Sequence, residues 1–457
     1  MSMKRVMIAA AGSNSGKTCI SCALMAAYKE AGLNVSGAKC GPDYIDPMFH
    51  EIVLGIPSVN LDPYFSEKKE LRSLTAAACR ESDILIIEGV MGLYDGLGGV
   101  KTEASSYDLA VKTDTPIILV IDAKGVGITV IQIIRGILSA DKKHLIKGII
   151  LNKVSKSYAN IIAPLIKEQT GVAVCGTMPY DASFGIESRH LGLNLPHEVK
   201  DLKSKVAGAA GKIRDNSDLG MILKIASEAK EIKDGNKDID IHNEDAVSKP
   251  VLAVARDEAF CFYYRENLRL FEKNGCRIEY FSPIRDEGLP EGCAGVLLGG
   301  GYPELYLQEL SSNRKMKNAV RKAVSSGIPL LAECGGFMYL QNSIKLKDCG
   351  RKKMSGIFAG DCEMKDKLVR FGYIELTSKK NTAYIKRGEK IKAHEFHYFD
   401  CTDNGSSLIA MKPVTKRSYD CIKAEGNILC GFPHLYYPSC PELVSRFTEK
   451  MREYANE

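Results

Sequence analysis

The sequence of 457 residues has no apolar run long enough to cross a bilayer, and this argues against an integral membrane protein. The early apolar stretch Val6–Ala11 is too short for a signal peptide and passes straight into a glycine loop. A strong charge of one sign is also missing. Sixty-two Lys and Arg against 56 Asp and Glu leave a formal +6, spread along the chain. That falls short of a nucleic-acid footprint but suits an acidic ligand. There is no internal repeat and no low-complexity tract. The 15 cysteines are scattered and are read as holding no C-x-x-C pair, an expectation that argues against zinc ribbons and thioredoxin-like sites. They read as reduced thiols of a cytoplasm, mostly small core hydrophobes.

What is present is the balance of a globular protein, 45% apolar and 26% charged, at a length that calls for two domains. Short β-rich runs alternate with helical patterns: Arg5–Ala9, Val35–Ala38, Ile84–Ile87, Ile117–Ile121, Gly148–Leu151 and Val172–Cys175 as strands, with helices over Thr18–Glu30 and Val126–Leu138. This alternation predicts an α/β fold with a parallel, doubly wound sheet. Residues 198–248 are rich in Lys, Asp, Glu and Asn and read as a charged linker, with a helix at Asp218–Ile232. A second alternating series begins at Val251–Ala255 and continues through Arg277–Tyr280, Gly295–Leu298 and Ile328–Ala332. The expected domains are therefore 1–197 and 249–457.

The first strand leads into Ala11-Gly12-Ser13-Asn14-Ser15-Gly16-Lys17-Thr18, a phosphate-loop pattern with alanine at its first position. Backbone N–H groups of Gly12 to Gly16 and the helix N-terminus would cradle phosphates. Lys17 would reach the β- and γ-phosphates, and Thr18 would hold Mg²⁺. After the second strand comes Lys39-Cys40-Gly41-Pro42-Asp43-Tyr44-Ile45-Asp46-Pro47, at the sheet edge where open α/β folds bind ligands. Asp43 and Asp46 beside Lys39 can complete a metal and phosphate site. Glu88 ends a nearly all-apolar strand, where a carboxylate is costly without a metal or a partner. Thr18, Asp46 and Glu88 are thus the expected metal ligands, with Asp122 a weaker candidate.

In the second half, the apolar strand ending at Glu333 runs into Cys334-Gly335-Gly336 and then a helical pattern. This is the pattern of a nucleophile elbow, with the cysteine expected as a thiolate activated by the helix N-terminus and a histidine. Gly300 and Gly301, with Gly335, would supply oxyanion N–H groups. His434 is the expected base. His394 and His397 are read as substrate contacts or structure, since no third metal ligand accompanies them.

The stretches AGSNSGKT, KCGPDYIDPMFH, IIEGVMGLYDG, SRHLGL, ARDEAFCFYYRENL, GGGYPEL, AECGGFMYL and AHEFHYF together resemble the cobyrinic acid a,c-diamide synthase family of cobalamin-type glutamine amidotransferases. The resemblance spans nearly the whole chain. It implies a synthetase domain similar to dethiobiotin synthetase followed by a class I glutaminase domain. It also implies ATP, Mg²⁺, glutamine and a corrinoid as cofactors and substrates. By the resemblance, Cys334 attacks glutamine with His434 as acid and base. Asp43, Asp46 and Glu88 serve ATP, metal and carboxylate, and Tyr44 and Ile45 recognise substrate. Lys39 is added as a group neutralising the transferring phosphoryl. Tyr436 stands where ordinary triad glutaminases carry a glutamate, which leaves the group orienting His434 open.

Three alternatives accompany this reading, one of them an inactive glutaminase half kept as a binding module. A Ni-sirohydrochlorin a,c-diamide synthase would keep the chemistry and change the macrocycle. A partitioning-type ATPase switch would explain the phosphate loop, but such proteins usually carry a lysine where this chain has Gly12, and they leave Cys334 unexplained. Among protein partners, a homodimer is the form considered.

Overall fold

The computed structural model describes residues 3–80, 82–181, 188–189, 192–193, 201–232, 249–347 and 350–456, the two short pairs by backbone alone. The chain divides into two compact units, residues 1–239 and 240–457.

The first unit is built on seven strands: β1 (Arg5–Ala10), β2 (Val35–Cys40), β3 (Ser58–Leu61), β4 (Ile84–Glu88), β5 (Ile117–Asp122), β6 (Ile146–Asn152) and β7 (Ala173–Met178). All are parallel, in the order β3-β2-β4-β1-β5-β6-β7. Strands such as β1 and β4 are buried at every position, as expected where helices cover both sheet faces. Helices α1 (Lys17–Glu30), α2 (Ile45–Met48), α3 (Lys68–Cys79), α4 (Ser106–Thr113), α5 (Thr129–Ala140) and α6 (Lys156–Thr170) make the crossovers. The carboxyl ends of the neighbouring strands β2, β4 and β1 therefore bring Lys39, Glu88 and the loop before α1 to one edge. Strand β3 escaped the sequence reading because it is a four-residue run with little apolar signature.

Residues 201–232 depart from the expected linker. Helices α7 (Leu202–Asn216) and α8 (Leu219–Ser227) bury Val206, Ala210, Ile213, Ile222 and Ile225. They are tied to the first unit by Tyr28 Oη to the Leu219 carbonyl, 2.8 Å, and by the Asp218 amide to the Cys175 carbonyl, 2.8 Å. Helix α8 falls within the helix expected at 218–232, whereas the charged composition hid the apolar stripe of α7. The charged run at residues 233–248 lies outside the described residues, as do residues 190–191 of SRHLGL. Of the latter only the backbone pair β8 (Ser188–Arg189) and β9 (Gly192–Leu193) is described.

The second unit contains β10 (Val251–Ala255), β11 (Arg277–Phe281), β12 (Cys293–Leu298), β13 (Leu330–Glu333), β14 (Ser343–Leu346), β15 (Gly350–Lys353), β16 (Asp361–Met364), β17 (Arg370–Ser378), β18 (Lys390–His397), β19 (Phe399–Cys401), β20 (Leu408–Met411), β21 (Ser418–Cys421), β22 (Lys423–Glu425), β23 (Ile428–Gly431) and β24 (His434–Leu435). Its helices are α9 (Arg265–Lys273), α10 (Leu307–Ser312), α11 (Arg314–Ser325), α12 (Gly335–Leu340) and α13 (Pro441–Asn456). A wound sheet, β11-β10-β12-β13-β23-β22, carries the nucleophile strand β13 near its centre. The sequence reading expected a wound sheet alone. The structure adds an antiparallel sheet, β21-β20-β17-β18-β24, and a four-stranded sheet, β15-β14-β16-β19. Their short strands alternate apolar and charged residues, as one-sided sheets do, and so lack the continuous apolar runs that marked β1 and β4.

Every cysteine among the described residues is a free thiol. One C-x-x-C spacing does occur, at Cys19 and Cys22 inside α1. Burial first, then Glu88, raises both thiols, Cys19 to about 11, which suits neither zinc nor disulfide exchange.

Candidate active sites

In the first unit, the loop after β1 takes the shape its glycines permit. Gly16 has φ 89° and Asn14 φ 59°, and a Cβ at Gly16 would overlap the Asn152 side-chain amide. Asn152, at the end of β6, donates its Nδ2 to the Ser15 carbonyl at 2.9 Å and so braces the loop. Ser15 Oγ donates to the Gly12 carbonyl at 2.9 Å. Lys17 is buried along the loop, its ammonium donating to the carbonyls of Gly12 (2.8 Å) and Met91 (2.6 Å). Burial first, then Lys39, pulls its pKa down to about 8. Phosphate oxygens would restore the missing negative charge.

Glu88 is the centre of the site and has no solvent exposure. Its Oε1 accepts from Thr18 Oγ1 at 2.5 Å and from Lys39 Nζ at 3.0 Å. Lys39 also bonds Asp46, and all three side chains are buried. Burial alone would push the Glu88 carboxyl up. Lys39, then His50 and Thr18, hold it far below the usual carboxylate range. Asp46 goes the other way, raised by burial and then by Asp43 and Glu88. The cluster thus separates one firmly ionised carboxylate from one that resists ionising.

Thr18 Oγ1 and Glu88 Oε1 place a hydroxyl and a carboxylate oxygen side by side at the phosphate loop. These hard oxygen donors fit magnesium, which keeps waters and phosphate oxygens for the rest of its shell. Asp46, expected as a third ligand, is turned to Lys39, and no group of three His, Cys, Asp or Glu among the described residues converges on a metal position. Asp43 accepts the Ile45 amide at 2.8 Å and so starts α2. Tyr44 and Ile45, the expected substrate contacts, are 8% and 5% exposed, so only their edges reach a ligand. Asp122 is bonded to Lys153 at 2.5 Å.

In the second unit, Cys334 stands between β13 and α12 with φ 46° and ψ −101°, a conformation that costs a non-glycine residue on the order of 1–3 kcal/mol. The turn is held by the Cys334 amide on the Gly431 carbonyl, 2.8 Å, and the Gly336 amide on the Gly299 carbonyl, 2.9 Å. Small neighbours are obligatory. A Cβ at Gly336 would overlap the Leu298 carbonyl, and one at Gly301 (φ 154°) would overlap that of Ala259. The Gly301 nitrogen lies 3.4 Å from where a Gly335 Cβ would stand, so these two expected oxyanion residues face a common space. Tyr263 props the loop, its hydroxyl accepting the Gly299 amide at 2.9 Å and donating to the Ala255 carbonyl.

His434 lies over Gly300, where a Cβ would overlap its ring. It pairs across β18–β24 with His394, and the two rings stack at 4.8 Å and 17°. His394 Nδ1 is 3.0 Å from Tyr264 Oη. Where ordinary triads place a carboxylate against the base, this fold places a second imidazole. His397 stacks on Phe432 at 4.1 Å and bonds the Phe399 carbonyl at 2.7 Å, a structural role. Burial, then His397, lowers the His434 imidazole to about 3, and burial, then Glu304, raises the Cys334 thiol. Both shifts oppose the expected thiolate, and the helix N-terminus that would favour it belongs to α12, only six residues long.

Sequence reading missed Glu333, which the structure puts beside the nucleophile, accepting from Tyr437 Oη at 2.6 Å. Burial pushes its carboxyl up to about 8. In the unfolded chain the same group ionises near the ordinary glutamate value, so the folded state binds the extra proton between the two values. Stability then falls as pH rises through that window and levels off above it. Glu333→Gln is expected to remove this loss. Scanning calorimetry should show the variant gaining on the parent in unfolding midpoint between about pH 5 and about pH 8. A difference that does not change with pH counts against a neutral Glu333.

Residues 6–193 match the CobQ/CobB/MinD/ParA nucleotide binding domain family, and residues 251–439 match the CobB/CobQ-like glutamine amidotransferase domain family. A cobyrinate a,c-diamide synthase of Caldanaerobacter subterraneus subsp. tengcongensis is 35% identical over 454 residues, covering 98% of each chain. One from Fusobacterium nucleatum is 38% identical over 95% of this chain and 98% of its own. Another from Picrophilus torridus is 37% identical over 98% of both.

Proposed function

The chain belongs to the cobyrinate a,c-diamide synthase family, and from that premise we propose that it amidates two acetate carboxylates of a corrinoid, a and c, using ATP and glutamine. The observation that carries the reading is the presence, on one chain, of a braced phosphate loop facing a fully buried Glu88 and of a strained Cys334 turn, with His434 over Gly300.

A carboxylate is a poor electrophile with a poor leaving group, and phosphorylation removes both faults. Lys17 and the loop amides hold the nucleotide phosphates in line with the acceptor, and Lys39 neutralises charge on the transferring phosphoryl. A magnesium ion held by Thr18 and Glu88 would neutralise the phosphate oxygens and favour the leaving group. Ammonia then adds to the acyl phosphate, expelling phosphate and leaving the amide.

The ammonia comes from glutamine. Cys334 Sγ attacks the side-chain carbonyl while its proton passes to His434, and the Gly301 and Gly335 amides receive the developing oxyanion. His434 returns the proton to the departing nitrogen, and water then releases glutamate from the thioester. Burial works against charge on both thiol and imidazole, so the proton moves as the carbon–sulfur bond forms.

The test is mass spectrometry after incubating the full chain with ATP, Mg²⁺ and glutamine. Cobyrinic acid is expected to gain two amides and Ni-sirohydrochlorin none. The reverse outcome assigns the nickel macrocycle and overturns the corrinoid reading.

A further inference from the structure

Behind Glu88 stands a pair of side chains that the chemistry above does not use. His50 is fully buried on the π-helical turn Phe49–Val53 that follows α2. Its Nδ1 lies 2.9 Å from Ser58 Oγ on β3, and its Nε2 lies 3.5 Å from Glu88 Oε2. The ring occupies a niche that the sheet leaves open for it. Gly37 on β2, opposite Ser58 in register, would carry a Cβ 3.0 Å from His50 Nδ1 and 3.1 Å from Ser58 Oγ. Glycine weakens a strand interior, so its place here goes with the close approach of the ring.

The hydrogen-bonding capacities fix a direction. A buried imidazole needs a partner at each nitrogen. With the Ser58 hydroxyl donating to Nδ1, the ring proton sits on Nε2 and points at Glu88. The 3.5 Å separation is longer than a good hydrogen bond, and a small rotation of the carboxylate closes it. Glu88 Oε1, meanwhile, is taken by Thr18 and Lys39. The two oxygens therefore have different duties, one toward the phosphate loop and one toward the sheet.

We propose that His50 and Ser58 are positioning residues for phosphoryl transfer, fixing the Glu88 carboxylate so that Oε1 is presented to Thr18 and to the divalent cation of the bound nucleotide. The inference rests on the ATP-dependent reading of the first unit. Partners of this kind, one step removed from the ion, typically change metal affinity about 10–100-fold when lost.

Three substitutions separate the roles. His50→Gln keeps an N–H near the position of Nε2, His50→Asn keeps a polar group near Nδ1 only, and His50→Leu keeps volume alone. The probe is Mn²⁺ with ADP, followed by electron paramagnetic resonance on the full chain without macrocycle or glutamine. The Mn²⁺ dissociation constant is expected to rise about 10-fold or more in the Asn and Leu variants and to stay within about threefold in His50→Gln. Ser58→Ala, a milder change, should weaken binding by a smaller factor and guards against variants that fail to fold. Equal Mn²⁺ affinity in all four variants, with lowered unfolding midpoints, would make His50 a packing residue and sink the inference alone. A parent chain that binds no Mn²⁺ with ADP would overturn the ATP-dependent reading and this inference together.

Discussion

Cys334→Ala is expected to lower glutamine-dependent amidation by at least about a thousandfold while leaving amidation from added ammonium salts close to that of the parent. The size follows from chemistry: without Sγ no covalent intermediate forms, and neither the oxyanion amides nor His434 has anything to act on. The selectivity follows from structure, because the phosphate loop, Lys39 and Glu88 belong to a unit with its own sheet and core. Alanine should also fit the turn, since no larger group is added, although it inherits the strained φ of 46°. Amide formation measured with each nitrogen source at alkaline pH, where free ammonia is plentiful, distinguishes the outcomes. Parallel loss with both sources would mean that Cys334 serves the fold rather than glutamine.

Glu88→Gln should have the complementary effect, a loss of about a thousandfold or more with glutamine and ammonia alike, equivalent to about 4 kcal/mol of transition-state stabilisation. The substitution is nearly isosteric but removes the negative charge that Lys39 and Thr18 address. It leaves the Lys39 ammonium with Asp46 as its near partner and deprives the cation of its protein carboxylate. Positional isotope exchange in ATP reads acyl-phosphate formation before ammonia enters, and it should vanish in the variant. Exchange at the parent rate would move Glu88 out of phosphoryl transfer.

How much of this was legible in the sequence depended on how local each feature is. The phosphate loop and the cysteine turn are contiguous, and their glycines answer to local backbone demands, so Gly16, Lys17 and Cys334 could be read directly. Glu88 was legible for an energetic reason, a charge closing a strand of isoleucines and leucine. His50 was not, since its meaning depends on Gly37 and Ser58, residues that only the β2–β3 pairing brings to it. Glu333 was hidden likewise, since Tyr437 reaches it from 104 residues away. The thiolate expected at Cys334 rested on a helix start, which the sequence shows, and not on the opposing burial, which only the fold shows. Charged surface residues concealed α7, whereas α8 falls within the helix expected at 218–232.

The placement of His434 has a mechanical consequence. Strand β13, which ends at the nucleophile, is in register with β23, Glu333 opposite Gly431. Phe432 and Pro433 then carry the chain directly into β24, where His434 docks against His394 in a different sheet. Nucleophile and base are thus bolted to two separate plates joined by a two-residue coupling. The two residues between β23 and β24 thus set where His434 can stand relative to the strand that ends at Cys334.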